Sequence, residues 1–321
     1  MTETVVVLDP IPPATAERLR ALLPPELVMT HGTSRDEAHL QEIIADAEYA
    51  ISGQIAVPGA VLRAGRKLRL LHKWGVGVDN FDLDAARELG ITVARTTGSN
   101  AVPVAEFTVG LMIATMRHLA AGHAAMMEGR WAGGDYGRPS SSLSGKTVGI
   151  IGLGAIGQTL ARLLGGFGCP ILYNQRTRLD PATEASLRAE YVPLDELLAR
   201  ADIVSVHCPL TKQTAGLIDR DALARMKRSA VLVNVARGGV VVEADLIWAL
   251  ETKVIRAAAM DVFETEPLPS GSPLVGVPGL VLTPHIAAHS ADTFEPTVRQ
   301  MFGNILRVSR GEPIPERDLV R

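Results

Sequence analysis

The chain is short of the features that mark specialised proteins. Only two cysteines occur, Cys169 and Cys208, far apart and inside apolar runs, so neither a CxxC site nor a disulfide framework can be built and a reducing compartment is expected. There is no excess of basic charge: 32 Lys and Arg against 35 Asp and Glu leave a formal charge of −3, with none of the basic stripes that nucleic-acid binders carry. The opening MTETVVVLDP lacks a basic segment followed by an apolar stretch, so no signal peptide is read. Nor does any stretch approach the roughly 18 uninterrupted apolar residues of a membrane span. No histidine pairs with Cys, Asp or Glu at a convincing ligand spacing, which leaves no metal site to propose. Solenoid repeats and low-complexity segments are also missing.

What remains is an ordinary globular composition, 47% hydrophobic, 21% charged and 4% aromatic, expected to be cytoplasmic. At 321 residues the chain is too long for one α/β core, and two domains are expected. Short β-branched runs alternate with helix-period segments. Strands are expected at Thr4–Leu8, Glu26–Met29, Tyr49–Ser52, Leu68–Trp74 and Ile91–Ala94. Helices fall near Ala14–Leu23, Arg35–Asp46, Gly59–Gly65 and Leu83–Leu89. Such alternation implies parallel βαβ units. From Ser99 one long helical region runs toward Trp131, with Val104, Phe107, Leu111, Ala114 and His118 spaced to share a face. A Gly- and Ser-rich stretch from Gly133 to Gly145 separates it from a second βα series, and a last helix spans about Asp292 to Arg310.

The second series opens on Val148-Gly-Ile-Ile-Gly-Leu-Gly-Ala-Ile-Gly157, which places Gly152, Gly154 and Gly157 in GxGxxG spacing. Alone the pattern is weak. Here an apolar strand precedes it and a helix follows, so the turn would set a pyrophosphate at the helix N-terminus, against the backbone of Gly154, Ala155 and Ile156. A nicotinamide cofactor that carries a free ribose 2′-hydroxyl is usually met by a carboxylate at the end of the next strand. That strand ends Asn174-Gln175-Arg176-Thr177-Arg178. Gln175 replaces the acid, and Arg176 and Arg178 can pair with a 2′-phosphate, so NADP is the expected cofactor, with NAD possible. A pair of surface arginines after an uncharged strand end is the alternative.

Three further strands end in polar residues: NVARGG at Arg237, DVFETEP at Glu266, and TPHI at His285. In an open parallel sheet the carboxyl ends of strands face the ligand crevice, so the three could converge. Taken singly, each has a bland reading as a loop, backbone-bonding or solvated residue.

These segments, with GLGAIG, HCPLT (His207–Thr211), GVGVDNFDL (Gly75–Leu83) and VAEFTVGLM (Val104–Met112), resemble the signature blocks of the D-isomer-specific 2-hydroxyacid dehydrogenases. The matches cover most of the chain. The resemblance implies two Rossmann-like or flavodoxin-like parallel-sheet α/β domains. Residues 1–99 plus 289–321 would form the substrate-binding domain, 100–288 the dinucleotide-binding domain, and the active site would lie in a cleft between them. It implies Arg237 as the carboxylate anchor, His285 as general acid/base, and Glu266 as the partner that orients the imidazole and favours its protonated form. It implies a hold on the cofactor by Pro209, Thr214, Val235, Ala236 and Asp261, the last through the nicotinamide carboxamide. Val76 and Gly77 would bind the substrate carboxylate through their backbone, and Gln54 could bond a polar substituent. The helical region after Ser99 resembles an arm that joins two copies into a homodimer.

The implied reaction is hydride transfer between NAD(P)H and a small 2-oxo or D-2-hydroxy acid. The Ser52–Pro58 loop contains no Arg or Lys, and NQRTR looks like the equivalent strand end of glyoxylate and hydroxypyruvate reductases, so an NADPH-preferring reductase of that type is expected. Arg63, Arg66 or Lys73 could still approach a phosphorylated substrate, which keeps NAD-dependent D-3-phosphoglycerate dehydrogenation as an alternative. From the short stretch after the last helix, no C-terminal regulatory domain is expected. A nucleotide-sensing, co-repressor-like binding module is an alternative of another class, as is a catalytically idle nucleotide-binding scaffold. His289 departs from the small residue usual in TPHIG-type segments and is expected to pack. Trp74 is read as either substrate-facing or core.

Overall fold

Strands that are apolar at every position, rather than at alternate ones, can be buried on both faces only in a sheet covered by helices on both sides. The computed structural model, which describes residues 2–320, has two such sheets. The chain divides into two compact units, Met1–Asn100 with Ser290–Arg321, and Ala101–His289.

In the first unit β1 (Glu3–Val7), α1 (Pro13–Arg20), β2 (Leu27–His31), α2 (Glu37–Ile44), β3 (Tyr49–Ser52), α3 (Gly59–Ala64), β4 (Leu70–Lys73), α4 (Leu83–Glu88) and β5 (Thr92–Ala94) follow in order. The strands form a parallel five-stranded sheet of order β2-β1-β3-β4-β5. Successive residues feed opposite cores. Val6, Leu8 and Leu71 pack with Leu40, Ile44, Val61 and Leu62 on one side. On the other side Val5, Val7 and Leu70 pack with residues of the returning C-terminal segment, Val298, Met301, Phe302 and Ile305.

The second unit starts with α5 (Ala101–Met116), α6 (Leu119–Met127) and α7 (Gly133–Gly137). It continues β6 (Val148–Ile151), α8 (Ala155–Gly165), β7 (Ile171–Asn174), α9 (Pro181–Leu187), β8 (Ala189–Tyr191), α10 (Leu194–Arg200) and β9 (Ile203–Val206). Then come α11 (Arg220–Arg225), β10 (Val231–Asn234), α12 (Glu243–Glu251), β11 (Ala257–Met260) and β12 (Leu280–Leu282); α13 (Ala291–Ser309) belongs to the first unit. The seven-stranded sheet is parallel, with order β12-β11-β10-β9-β6-β7-β8. This is the doubly wound order with its reversal between β6 and β9.

The long helix expected from Ser99 is interrupted. His118 takes φ 54°, a left-handed conformation that ends one helix and starts the next. The buried face of α5 is also rotated from the expected one: Val104, Ala105, Thr108, Leu111, Met112 and Thr115 are buried, while Phe107 and Ala114 are only half-buried. Among the described residues no helix is long and apolar enough to cross a membrane.

Candidate active site

The glycine-rich turn joins β6 to α8. Gly152 has φ 97°, and a Cβ there would lie 2.7 Å from the Cys208 backbone nitrogen, so only glycine lets the 207–208 segment press against the turn. Gly157 lies beneath, its Cα facing the Gly152 carbonyl. Gly154 caps α8 with no side-chain acceptor, and a Cβ built on it meets nothing within 4 Å. The N–H groups of Ala155 and Ile156 belong to the first turn of this eleven-residue helix, where no carbonyl of the helix can receive them and its dipole is positive. This donor set fits a pyrophosphate.

At the end of β7 the Gln175 carboxamide is built into the turn. Its Oε1 accepts from Leu153 N at 2.9 Å and its Nε2 donates to Thr177 O at 2.7 Å. The two arginines that follow do different things. Arg178 pairs in bidentate fashion with Glu184, Nε to Oε1 and Nη2 to Oε2 both at 2.8 Å, and the Tyr173 hydroxyl donates to the same carboxylate at 2.5 Å. The Arg178 bonds, then the Tyr173 hydroxyl, push the Glu184 carboxyl down to about 2. Both guanidinium groups are exposed, and of the two only Arg178 is paired with an acid among the described residues.

The three polar strand-end residues sit in loops that brace one another. Asn234, fully buried at the end of β10, accepts from Ala236 N at 3.1 Å and donates to Arg237 O at 2.9 Å, shaping the turn after Val235. Arg237 Nη1 donates to Ala236 O at 2.7 Å. A Cβ on Gly238 would fall 1.9 Å from the Phe263 carbonyl carbon, so the Arg237 loop lies flush on the loop that leads to Glu266. Glu243 and Glu264 fasten the same two loops by exchanging backbone-to-carboxylate bonds of 3.1 and 2.7 Å.

Glu266 divides its oxygens: Oε1 accepts from Phe263 N at 2.9 Å, and Oε2 lies 2.6 Å from His285 Nδ1. Burial raises the Glu266 carboxyl, but the bonds from His285 and Phe263 and the Arg237 charge outweigh it, and the net shift is downward. An ionised Glu266 makes Nδ1 the donor, so Nε2, which meets no partner among the described residues, is the nitrogen available for proton transfer. His285 sits at φ 54°, uncommon for a residue with a Cβ and costly unless its surroundings enforce it.

That enforcement comes from Asp261. Its carboxylate is fully buried and accepts from Thr283 Oγ1 at 2.6 Å, Ile286 N at 3.0 Å and Ala287 N at 2.9 Å, bracketing His285 on both sides. Asp261, implied as a hold on the nicotinamide carboxamide, anchors the His285 loop through these bonds. Thr214 likewise spends its hydroxyl inside its own turn, donating to Pro209 O at 2.6 Å and accepting from Thr211 N at 2.8 Å. His207, in the same segment, is pushed down to about 4 by burial and bonds Ser205 Oγ through Nε2 at 2.8 Å. His289 is exposed rather than packed.

In the first unit the loop after β3 carries Gln54, which is exposed, and the loop after β4 carries Val76 and Gly77, both half-buried. Trp74 packs edge-on to Phe294 at 5.9 Å, on the core side of its two readings. Arg63 and Arg66 are exposed and face Glu88 at 4.0 Å and Asp46 at 3.0 Å. Lys73 is buried and donates to Gly53 O and, at 2.8 Å, to Asn80 Oδ1. Asp9 and Asn234 were missed by sequence reasoning. Asp9 lies in no motif and the backbone groups it holds are more than 40 positions away, while Asn234 opens the NVARGG segment, where only Arg237 was singled out.

Residues 109–287 match the family model described as D-isomer specific 2-hydroxyacid dehydrogenase, NAD binding domain. The chain belongs to that family. It is 38% identical over 263 residues to a protein named glyoxylate reductase of Korarchaeum cryptofilum, covering 81% of this chain and 78% of that one. It is 36% identical over 312 residues to D-3-phosphoglycerate dehydrogenase of Mycobacterium tuberculosis, covering 97% of this chain. The chain spans 58% of that relative's length. A solved structure of a Thermus thermophilus protein superposes with TM-score 0.85 at 33% identity, covering 99% of this chain and all of that one. Within the family frame, the Arg237, Glu266 and His285 loops of this member are interlocked through Gly238, Glu264 and Asp261.

Proposed function

We propose that the protein interconverts a small 2-oxo acid and its D-2-hydroxy acid, preferring NADPH and unphosphorylated acids of the glyoxylate or hydroxypyruvate type. The observation that carries this reading is the Glu266–His285 bond of 2.6 Å, with Arg237 close enough for its charge to act on Glu266. In this reading residues 100–288 would hold the cofactor and residues 1–99 with 289–321 the substrate. Gly154, Ala155 and Ile156 would hold the pyrophosphate and Arg176 the 2′-phosphate, beside Gln175, which carries no charge to repel it. When bound, the cofactor supplies the hydride.

The chain's own residues supply the rest. Arg237 neutralises and orients the substrate carboxylate through its planar fork and draws electron density from the adjacent carbonyl. His285 gives a proton from Nε2 to the carbonyl oxygen in reduction and takes it back in oxidation. Glu266 stabilises the cationic imidazole and fixes the ring, while Asp261 and Gly238 hold the two loops in register. The Val76 and Gly77 N–H groups meet the carboxylate from their own loop, and Gln54 contacts the substituent. Val235, Ala236, Pro209 and Thr214 shape the walls of the cofactor site.

A homodimer is part of the proposal. Among the described residues Val102, Leu119, Met126, Met127 and Trp131 are large hydrophobic side chains left exposed within one stretch of chain, which supports a covering partner copy. Sedimentation as a monomer would remove this part.

The test is the initial rate of nicotinamide oxidation with NADPH and with NADH against glyoxylate, hydroxypyruvate, pyruvate and phosphohydroxypyruvate. Turnover of the unphosphorylated acids with NADPH is expected. Activity confined to phosphohydroxypyruvate with NADH would replace the substrate and cofactor assignments by those of a phosphoglycerate dehydrogenase, a reading favoured by the 36% identity over nearly the whole chain. Tight NADPH binding without turnover would favour a binding module.

A further inference from the structure

A second cluster of polar side chains lies at the carboxyl end of the five-stranded sheet, and its two charged members, Asp9 and Lys73, fall outside every motif. In the order β2-β1-β3-β4-β5 the winding reverses between β1 and β3, and the crevice beyond those two strands is where such sheets take ligands. Here the crevice is filled from within. Asp9, just past β1, accepts from Gly53 N at 2.6 Å, Gln54 N at 2.9 Å and Ile55 N at 3.3 Å. The carbonyl of the same Gly53 accepts from Lys73 Nζ, which also donates to Asn80 Oδ1 at 2.8 Å. Asn80 returns to the first loop, donating from Nδ2 to Ile55 O at 2.5 Å and accepting through its backbone carbonyl from Val57 N at 2.8 Å.

One carboxylate and one buried ammonium thus grip Gly53 through both its N–H and its C=O. Charged groups withdrawn from water persist only when hydrogen-bonded, so this fastening is a built feature of the loop. It also allots the available donors. The 53–55 amides are spent on Asp9. Trp74 N goes to Ser52 O at 2.9 Å and Gly75 N to Thr96 Oγ1 at 3.1 Å. Among the described residues the Val76 and Gly77 amides meet no acceptor.

We propose that Asp9 and Lys73 are positioning residues for the substrate: by saturating the 53–55 amides and locking that loop to the 75–80 loop, they leave Val76 and Gly77 as the carboxylate-binding amides and fix the position of Gln54. The proposal rests on the functional reading above. Neither residue takes part in proton or hydride transfer.

Asp9→Asn keeps the shape and removes the charge; Lys73→Met keeps the stem and removes the donor. Both are read on the full chain by KM and kcat for the oxo acid at saturating NADPH, by NADPH affinity, and by amide hydrogen exchange over residues 53–57. Each should raise KM about tenfold with kcat within about threefold and NADPH affinity unchanged, while the 53–55 amides exchange at least about tenfold faster. A purely structural role would lower kcat, NADPH affinity and melting temperature together, and that outcome overturns the proposal. An unchanged KM despite faster exchange overturns it as well. If Asp9→Asn does not fold, Lys73→Met decides alone. The wild type, assayed in parallel, separates the two levels: no turnover of any acid defeats the functional reading and this proposal with it, whereas normal turnover with unaltered variants defeats the role of Asp9 and Lys73 alone.

Discussion

At the carboxyl end of the seven-stranded sheet α8 is capped by Gly154, which offers no side-chain acceptor to the helix's first N–H groups. At the same end of the five-stranded sheet the amides of Gly53, Gln54 and Ile55 are already occupied by Asp9. Two parallel sheets of closely similar construction thus treat their crevices in opposite ways. Strand order decides where a crevice forms; whether it stays open for an outside anion depends on whether the chain supplies a carboxylate of its own.

The comparison can be broken most sharply by giving the second unit what the first already has. Gly154→Asp places a carboxylate before the open amides of α8, at a position whose φ of −77° and empty surroundings accept a side chain without strain. Repulsion and loss of donors should weaken NADPH binding by about a hundredfold or more with the melting temperature nearly unchanged, as measured by fluorescence titration. Undiminished binding would show that the phosphates lie elsewhere.

A smaller effect is expected at the rim of the same site. Gln175→Asp combined with Arg176→Ala should shift the NADPH to NADH preference by about tenfold or more, because a carboxylate rejects a 2′-phosphate and one charge-assisted pair is lost. Arg178→Ala should leave the preference unaltered while lowering the melting temperature, since Arg178 serves Glu184. A preference that follows Arg178 instead of Arg176 would reverse the assignment.

The smallest expected effect is one the two units share. Burial pushes His72 in the first unit and His207 in the second down to about 4. Unfolded histidine titrates near 6.5, so between about 6.5 and 4 the unfolded chain binds protons that the native chain refuses, and stability falls as pH falls. Melting scans from pH 7 to pH 5 should show this loss. His72→Gln should flatten the slope; a slope identical to wild type would mean that His72 is charged in the native state. His72 accepts from Asn304 at 3.1 Å through Nε2, which requires the neutral ring.

Much of this was legible in the sequence, for reasons particular to each element. The strands could be read because residues such as Val5, Val6, Val231 and Leu232 are apolar without alternation, which in a βαβ pattern implies burial on both faces. The glycine turn and the TPHI, DVFETEP and NVARGG segments could be read because their residue types and spacing are constrained locally. The break at His118 could not, since no glycine or proline marks its left-handed turn. Asp9, Asn234 and the burial of Asp261 escaped for one common reason. Each acts on backbone groups of its surroundings, and backbone groups leave no signature in side-chain sequence. The commitment of Arg178 to Glu184 is similar in kind, because helix α9 had to be placed before its acid could be seen facing the arginine.

The central claim, that His285 held by Glu266 is the proton donor of a hydride-transfer site, is tested most directly by His285→Ala. NADPH affinity and turnover of the preferred oxo acid should be measured on the same preparation. The account predicts turnover lower by about a thousandfold or more with NADPH affinity within about twofold of wild type. Turnover within about threefold of wild type would contradict it, and the proton would have to come from another group.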